Sequence, residues 1–114
     1  AKSGLKEYKK LDIPTAGYQE QVFCHTMQDN ANGKTSVSLQ NKELGIAVTI
    51  KFNISELPYL IQWKMLGQGE YVLGLEPSNV PLKNRKELRD ENILPLLQPG
   101  ESVTNNIEVV LSDI

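Results

Sequence analysis

The chain has 114 residues, 39% of them hydrophobic and 23% charged, with a formal net charge of −2; this is at most one domain, with the make-up of an ordinary globular protein. No apolar run approaches the roughly 18 residues that span a bilayer, no signal-peptide pattern opens the chain, and nothing in the charge calls for nucleic acid or an anionic membrane as partner. A single cysteine, Cys24, excludes an internal disulfide and makes a reducing, cytoplasmic setting the default. The chain begins at Ala1 rather than at a methionine, as processing, tag removal or excision from a longer protein would leave it.

Residues 1–19, with Gly4, Pro14 and Gly17 among scattered charges, predict an irregular lead-in. From residue 20 to 114 nearly every segment reads as strand and turn. Glu20 to Thr26 alternates, with Val22, Cys24 and Thr26 on one side and Gln21, Phe23 and His25 on the other. Asp29 to Gly33 is dense in residues that tolerate positive φ, so the chain should reverse there. Ser36 to Gln40 follows, and Ile46 to Phe52 is the cleanest strand, with Ile46, Val48, Ile50 and Phe52 pointing one way.

Tyr59, Ile61 and Trp63 next alternate with Leu60, Gln62 and Lys64. Gly69 to Asn79 reads as a short buried strand that delivers Glu76 to its end, with Tyr71, Leu73 and Leu75 on one face and Val72, Gly74 and Glu76 on the other. Pro77 cannot donate to a sheet ladder and closes the exit. Gly74, two residues before Glu76 on the same face, predicts a close approach to the backbone, a sugar ring and a crossing loop being two candidates. Lys83 to Asn92 could hold a turn or two of helix, with Arg85 and Arg89 on one face. Val103 to Leu111 is the last strand, with Val103, Ile107, Val109 and Leu111 inward. Evenly spaced strands without long helices indicate an all-β antiparallel sandwich.

General motifs for chemistry are few. A phosphate-binding glycine loop, a dinucleotide fingerprint and a Cys/His zinc spacing are all missing, so no cofactor and no metal is expected. Cys24 and His25 are neighbours on a strand and point to opposite faces, so they cannot pair as nucleophile and base. Cys24 reads as core, and His25 as either a hydrogen-bonded structural residue or a ligand contact. Trp63 and Tyr59 share a face and either pack the core or floor a sugar site. Arg85 and Arg89 either decorate a solvated loop or clamp a carboxylate or phosphate.

Glu20-Gln21-Val22-Phe23, the Asp29/Gly33 turn, the run Leu57 to Lys64, the run Gly69 to Asn79, Arg85, and Leu97-Gln98-Pro99-Gly100-Glu101-Ser102 occur in an order that resembles the C-terminal part of the galactose-mutarotase-like superfamily, in its aldose 1-epimerase-like branch. The resemblance covers the chain from about Glu20 onward. It implies a longer parent protein with an antiparallel β-supersandwich, of which this chain is the last third or so. It also implies that Glu76 is the general base that takes the proton of a sugar's anomeric hydroxyl, while a histidine upstream of this chain serves the ring oxygen. Trp63, Tyr59, Asn79, Arg85 and His25 are the substrate-binding candidates, and a small-molecule sugar is the implied partner.

Two functional readings follow, and a structural one. Either the chain supplies the base of a sugar isomerase and is inactive alone, or it belongs to a non-catalytic carbohydrate-binding or sugar-sensing module. The third reading is a sandwich half whose edges pair with missing strands. Open edges and uncovered apolar faces on a strand such as Ile46 to Phe52 would favour self-association, most simply as a homodimer.

Overall fold

The alternating stretches close into strands in the computed structural model, which describes residues 7–114. Along the chain these are β1 (Gln21–Thr26), β2 (Lys34–Asn41), β3 (Ile46–Asn53), β4 (Tyr59–Leu66), β5 (Tyr71–Ser78) and β6 (Ile107–Asp113), with one short helix, α1 (Arg85–Asp90), between the last two strands. Every strand pairing is antiparallel. The strands form two three-stranded sheets, in the orders β1-β4-β5 and β2-β3-β6. The all-β antiparallel architecture is the one read from the alternation.

The turn chemistry is local. Gly33 has φ +71°, a conformation open to glycine at little cost, while the Asn30 side chain accepts the backbone N–H groups of Asn32 and Lys34. The α1 helix starts because Asn84 caps it: its side-chain oxygen accepts the Glu87 N–H, and the Glu87 carboxylate returns to the Asn84 N–H. That reciprocal box satisfies two otherwise orphaned donors.

The two sheets meet where β3 turns into β4. Phe52, Leu57 and Leu60 are buried together, with Met27, Val37 and Ile50 packed against them. This contact covers β2 and β3 but leaves β6 bare. Ile107, Val109 and Leu111, expected inward, are 52%, 61% and 77% exposed, although Val109 and Ile107 pair directly with Ile50 and Phe52. The last strand also begins at Ile107 rather than Val103. Just before it, both amide groups of Asn106 are held by the Glu56 carboxylate at 2.9 Å.

Ile46 to Phe52 is not an open edge. It lies within β3, the central strand of its sheet, and the free edges belong to β1, β5, β2 and β6. The proline expected to stop the strand after Glu76 also sits inside it, since β5 runs on to Ser78 and Pro77 pairs with Leu60. An edge strand accommodates this because the missing N–H need not face a partner.

Along the β1-β4-β5 sheet the lead-in covers the same face that meets the second sheet, because Gln62 and Lys64 share the parity of Leu60 on β4. Lys64 is only 1% exposed, and its ammonium donates to the backbone carbonyls of Glu7 and Lys10. Gln62 donates to the Tyr8 carbonyl, Tyr71 to that of Asp12, and the Thr15 N–H to Leu66. These bonds satisfy groups that burial would otherwise penalise.

Much surface remains open. The chain exposes 8608 Å², roughly a third more than the 6,300 Å² or so expected of a compact monomer of this mass. Its radius of gyration is 16.4 Å, against about 13 Å for a compact domain of this length. Among the described residues, no helix is long and apolar enough to cross a membrane.

Candidate functional site

Strand register decides which side chains share a face. Cys24, Ile61 and Glu76 form one row across β1, β4 and β5; Val22, Trp63 and Gly74 form the next, and Thr26, Tyr59 and Ser78 a third. Period-two alternation puts all nine on one side of the sheet. Ile61 is buried within this layer, Trp63 and Tyr59 are half-buried, and Glu76 and Cys24 are exposed. Cys24, read as core from its type, is open because its face carries little cover.

Glu76 lies two residues short of the end of β5, and its side chain bends back along its own strand. A Cβ on Gly74 would stand 2.5 Å from Glu76 Oε1, 3.4 Å from Glu76 Cδ and 3.3 Å from Trp63 Cβ. The close approach that a strand glycine foretold is therefore made by the Glu76 carboxylate itself. Trp63, the cross-strand partner of Gly74, walls the same niche. Its indole N–H is also fixed, donating to Glu20 Oε2 at 2.9 Å. Glu20, just ahead of β1, is thus a second carboxylate on this face. The sequence offers only its parity with Val22 and Cys24 as a signal.

The remaining candidates are dispersed. Asn79 follows the last residue of β5 and is exposed; Arg85 is the exposed first residue of α1. Nearby, the Glu91 carboxylate grips the Lys83 ammonium at 2.6 and 2.7 Å and holds it above the ordinary lysine range. That cation is already partnered.

His25 lies on the opposite face, since it pairs with Leu60 rather than with the Glu76 row. Its Nε2 is 3.0 Å from Gln62 Oε1. Gln62 spends its amide N–H on the Tyr8 carbonyl, which leaves Oε1 as an acceptor and puts the proton on His25 Nε2. The Tyr8 ring meets the imidazole edge-on at 4.9 Å. His25 therefore borders a groove of about 690 Å³ lined also by β2. The sheet separates it from Glu76.

Among the described residues, no cluster of three or more His, Cys, Asp or Glu side chains could hold a metal ion. The Glu76 face offers an ionisable carboxylate, a fixed indole and a phenol ring. Such a set suits a polyhydroxylated ring, whose hydroxyls bond to the carboxylate while its C–H faces lie on the aromatic rings.

The family described as "Domain of unknown function (DUF4432)" matches residues 1–111. A crystal structure from Klebsiella pneumoniae subsp. pneumoniae, named as a candidate aldose 1-epimerase, superposes with a TM-score of 0.85 at 29% identity. The match covers 96% of this chain and 29% of that one, so the chain spans well under a third of its length. No curated protein matches. The fold is aldose 1-epimerase-like.

Proposed function

The chain belongs to the DUF4432 family, and from that premise we propose that it is the segment of an aldose 1-epimerase-like protein that supplies the general base for sugar anomer interconversion. The observation that carries this reading is the exposed Glu76 carboxylate, seated over Gly74 and beside Trp63 on a strand of an aldose 1-epimerase-like sheet. In the proposed reaction Glu76 takes the proton of the anomeric hydroxyl and the C–O bond to the ring oxygen breaks. Its electron pair stays on that oxygen, which takes a proton from an acid; the open-chain aldehyde then recloses on its other face. Positioned acid–base groups of this kind contribute about 10²–10⁴-fold each.

The acid is proposed to be a histidine upstream of this chain, since the sole histidine here, His25, faces away from Glu76. Tyr59 and Trp63 are the proposed platform for the ring. Asn79 and Arg85 are proposed as contacts made at the end of β5 and the start of α1. The single free thiol, exposed at Cys24, supports a reducing, cytoplasmic location.

The same absence of a partner acid supports a second reading, a carbohydrate-binding module that performs no chemistry. Polarimetry on fresh α-D-galactose or α-D-glucose separates the two. A longer polypeptide containing this chain should accelerate mutarotation, and Glu76→Gln should abolish the acceleration while leaving sugar binding nearly intact. The 114-residue chain alone should bind without accelerating. If Glu76→Gln leaves the rate of an active polypeptide unchanged, Glu76 is not the base.

A further inference from the structure

We infer that Gly74 is a positioning residue for Glu76, one that acts through the side chain it lacks; this deepens the reading of Glu76 as the base and rests on it. Glycine is not required at this position by the backbone. Gly17, Gly33, Gly45, Gly69 and Gly100 all have positive φ, and Gly74 does not. An L-residue could therefore adopt the same conformation, and a side chain would ordinarily strengthen a strand that glycine weakens.

What glycine provides is space, and the Glu76 carboxylate occupies it. Any Cβ would fall 2.5 Å from Oε1 and 3.4 Å from Cδ, so the carboxylate would have to leave. Leaving is easy, since the obstructing atoms are the far end of a flexible and exposed side chain. The other neighbour, Trp63 Cβ at 3.3 Å, needs to give only slightly. The two consequences of filling the niche are thus opposite in size: little happens to the fold, and much happens to the place where the proton is accepted. A residue serving only the strand would behave the other way round.

Trp63 is the only tryptophan and its Cβ borders the niche, so its fluorescence and its indole N–H resonance serve as reporters of what occupies it. The test compares the 114-residue chain with Gly74→Ala, Glu76→Gln, Glu76→Ala and Gly74→Ala/Glu76→Ala. At fixed neutral pH the indole signal should change on Glu76→Gln, which takes the carboxylate's charge out of the niche. Gly74→Ala should change it in the same direction while its thermal midpoint stays within a few degrees of the parent's. With D-galactose as the probe, Gly74→Ala should weaken binding on the order of tenfold, the worth of about one hydrogen bond to a charged group. Once Glu76→Ala has removed the carboxylate, adding Gly74→Ala should cost no further binding, because coupled groups are non-additive.

The inference is overturned if Gly74→Ala leaves the indole signal of the parent, if Glu76→Gln does, or if Gly74→Ala costs as much binding in Glu76→Ala as in the parent. A changed indole signal with galactose binding untouched would leave Gly74 as the positioning residue and remove the sugar reading instead.

Discussion

Glu20 accepts the indole N–H of Trp63 at 2.9 Å, tying the residue that precedes β1 to the middle of β4. A tryptophan ring that serves as a platform must be held at one tilt, and a hydrogen bond to a carboxylate is the stronger kind of restraint. Glu20→Ala should therefore leave the sheet folded, shift Trp63 emission, and weaken galactose binding by about two- to fivefold, the worth of one exposed hydrogen bond. Fluorescence titration measures both effects. Unchanged emission would show that the ring is held by packing alone.

The hold on β6 should depend on acid in a definite direction. Hydrogen bonds from the Asn106 backbone and side chain keep the Glu56 carboxyl below its usual range. A depressed pKa in the folded state means that this contribution is complete above the unfolded-state value and is lost as pH falls through the folded one. Protection of the β6 amides, relative to their intrinsic exchange, should fall below the ordinary carboxylate range, and Glu56→Gln should flatten that dependence. If that protection does not change with pH in the acid range, the contact does not anchor the strand.

Phe52 is 2% exposed in the cluster where the two sheets pack together. Phe52→Ala should cost about 3–5 kcal/mol, much of the 5–15 kcal/mol or so that holds a domain together. Urea denaturation should show either a midpoint far below the parent's or a chain unfolded without denaturant. A cost under about 1 kcal/mol would mean that the sheets are held together elsewhere.

The bare apolar row on β6 leads us to propose that the isolated chain pairs with a second copy. Ile107, Val109 and Leu111 stand exposed on a strand whose outer edge has no strand partner among the described residues, and such edges recruit other strands. Light scattering should report a dimer, and Val109→Lys with Leu111→Lys should return it to monomer. A clean monomer of the parent chain at several hundred micromolar would rule the pairing out.

The parts of the fold legible in the sequence were those fixed by near neighbours. Alternation from Ile46 to Phe52 marked β3, Asn30 and Gly33 marked a turn, and the charged run around Arg85 marked α1. Features set by distant partners were not legible. Nothing local announces that Lys64 will be buried, because its acceptors are carbonyls 54 and 57 residues away. Cys24 and Val109 look like core by type, and their exposure depends on what covers their faces. Within the candidate site, parity put Trp63 with Tyr59 and Gly74 with Glu76, whereas the register that brings the two pairs onto one face and the seat over Gly74 required atomic positions. The sequence did foretell that something lay close to Gly74, though not that it was Glu76 itself.

The ammonium of Lys64 is answered by main-chain carbonyls, so residues 7–15 behave as a ligand that the protein carries for itself. Such a ligand is recognised through its backbone, and Glu7→Ala or Lys10→Ala should pass almost unnoticed. Deleting the whole segment would strand a buried cation and should unravel the sheet. The segment should then work in trans: a synthetic peptide of residues 1–15, added to a chain that starts at residue 16, should restore the lost order in β4 in a saturable way.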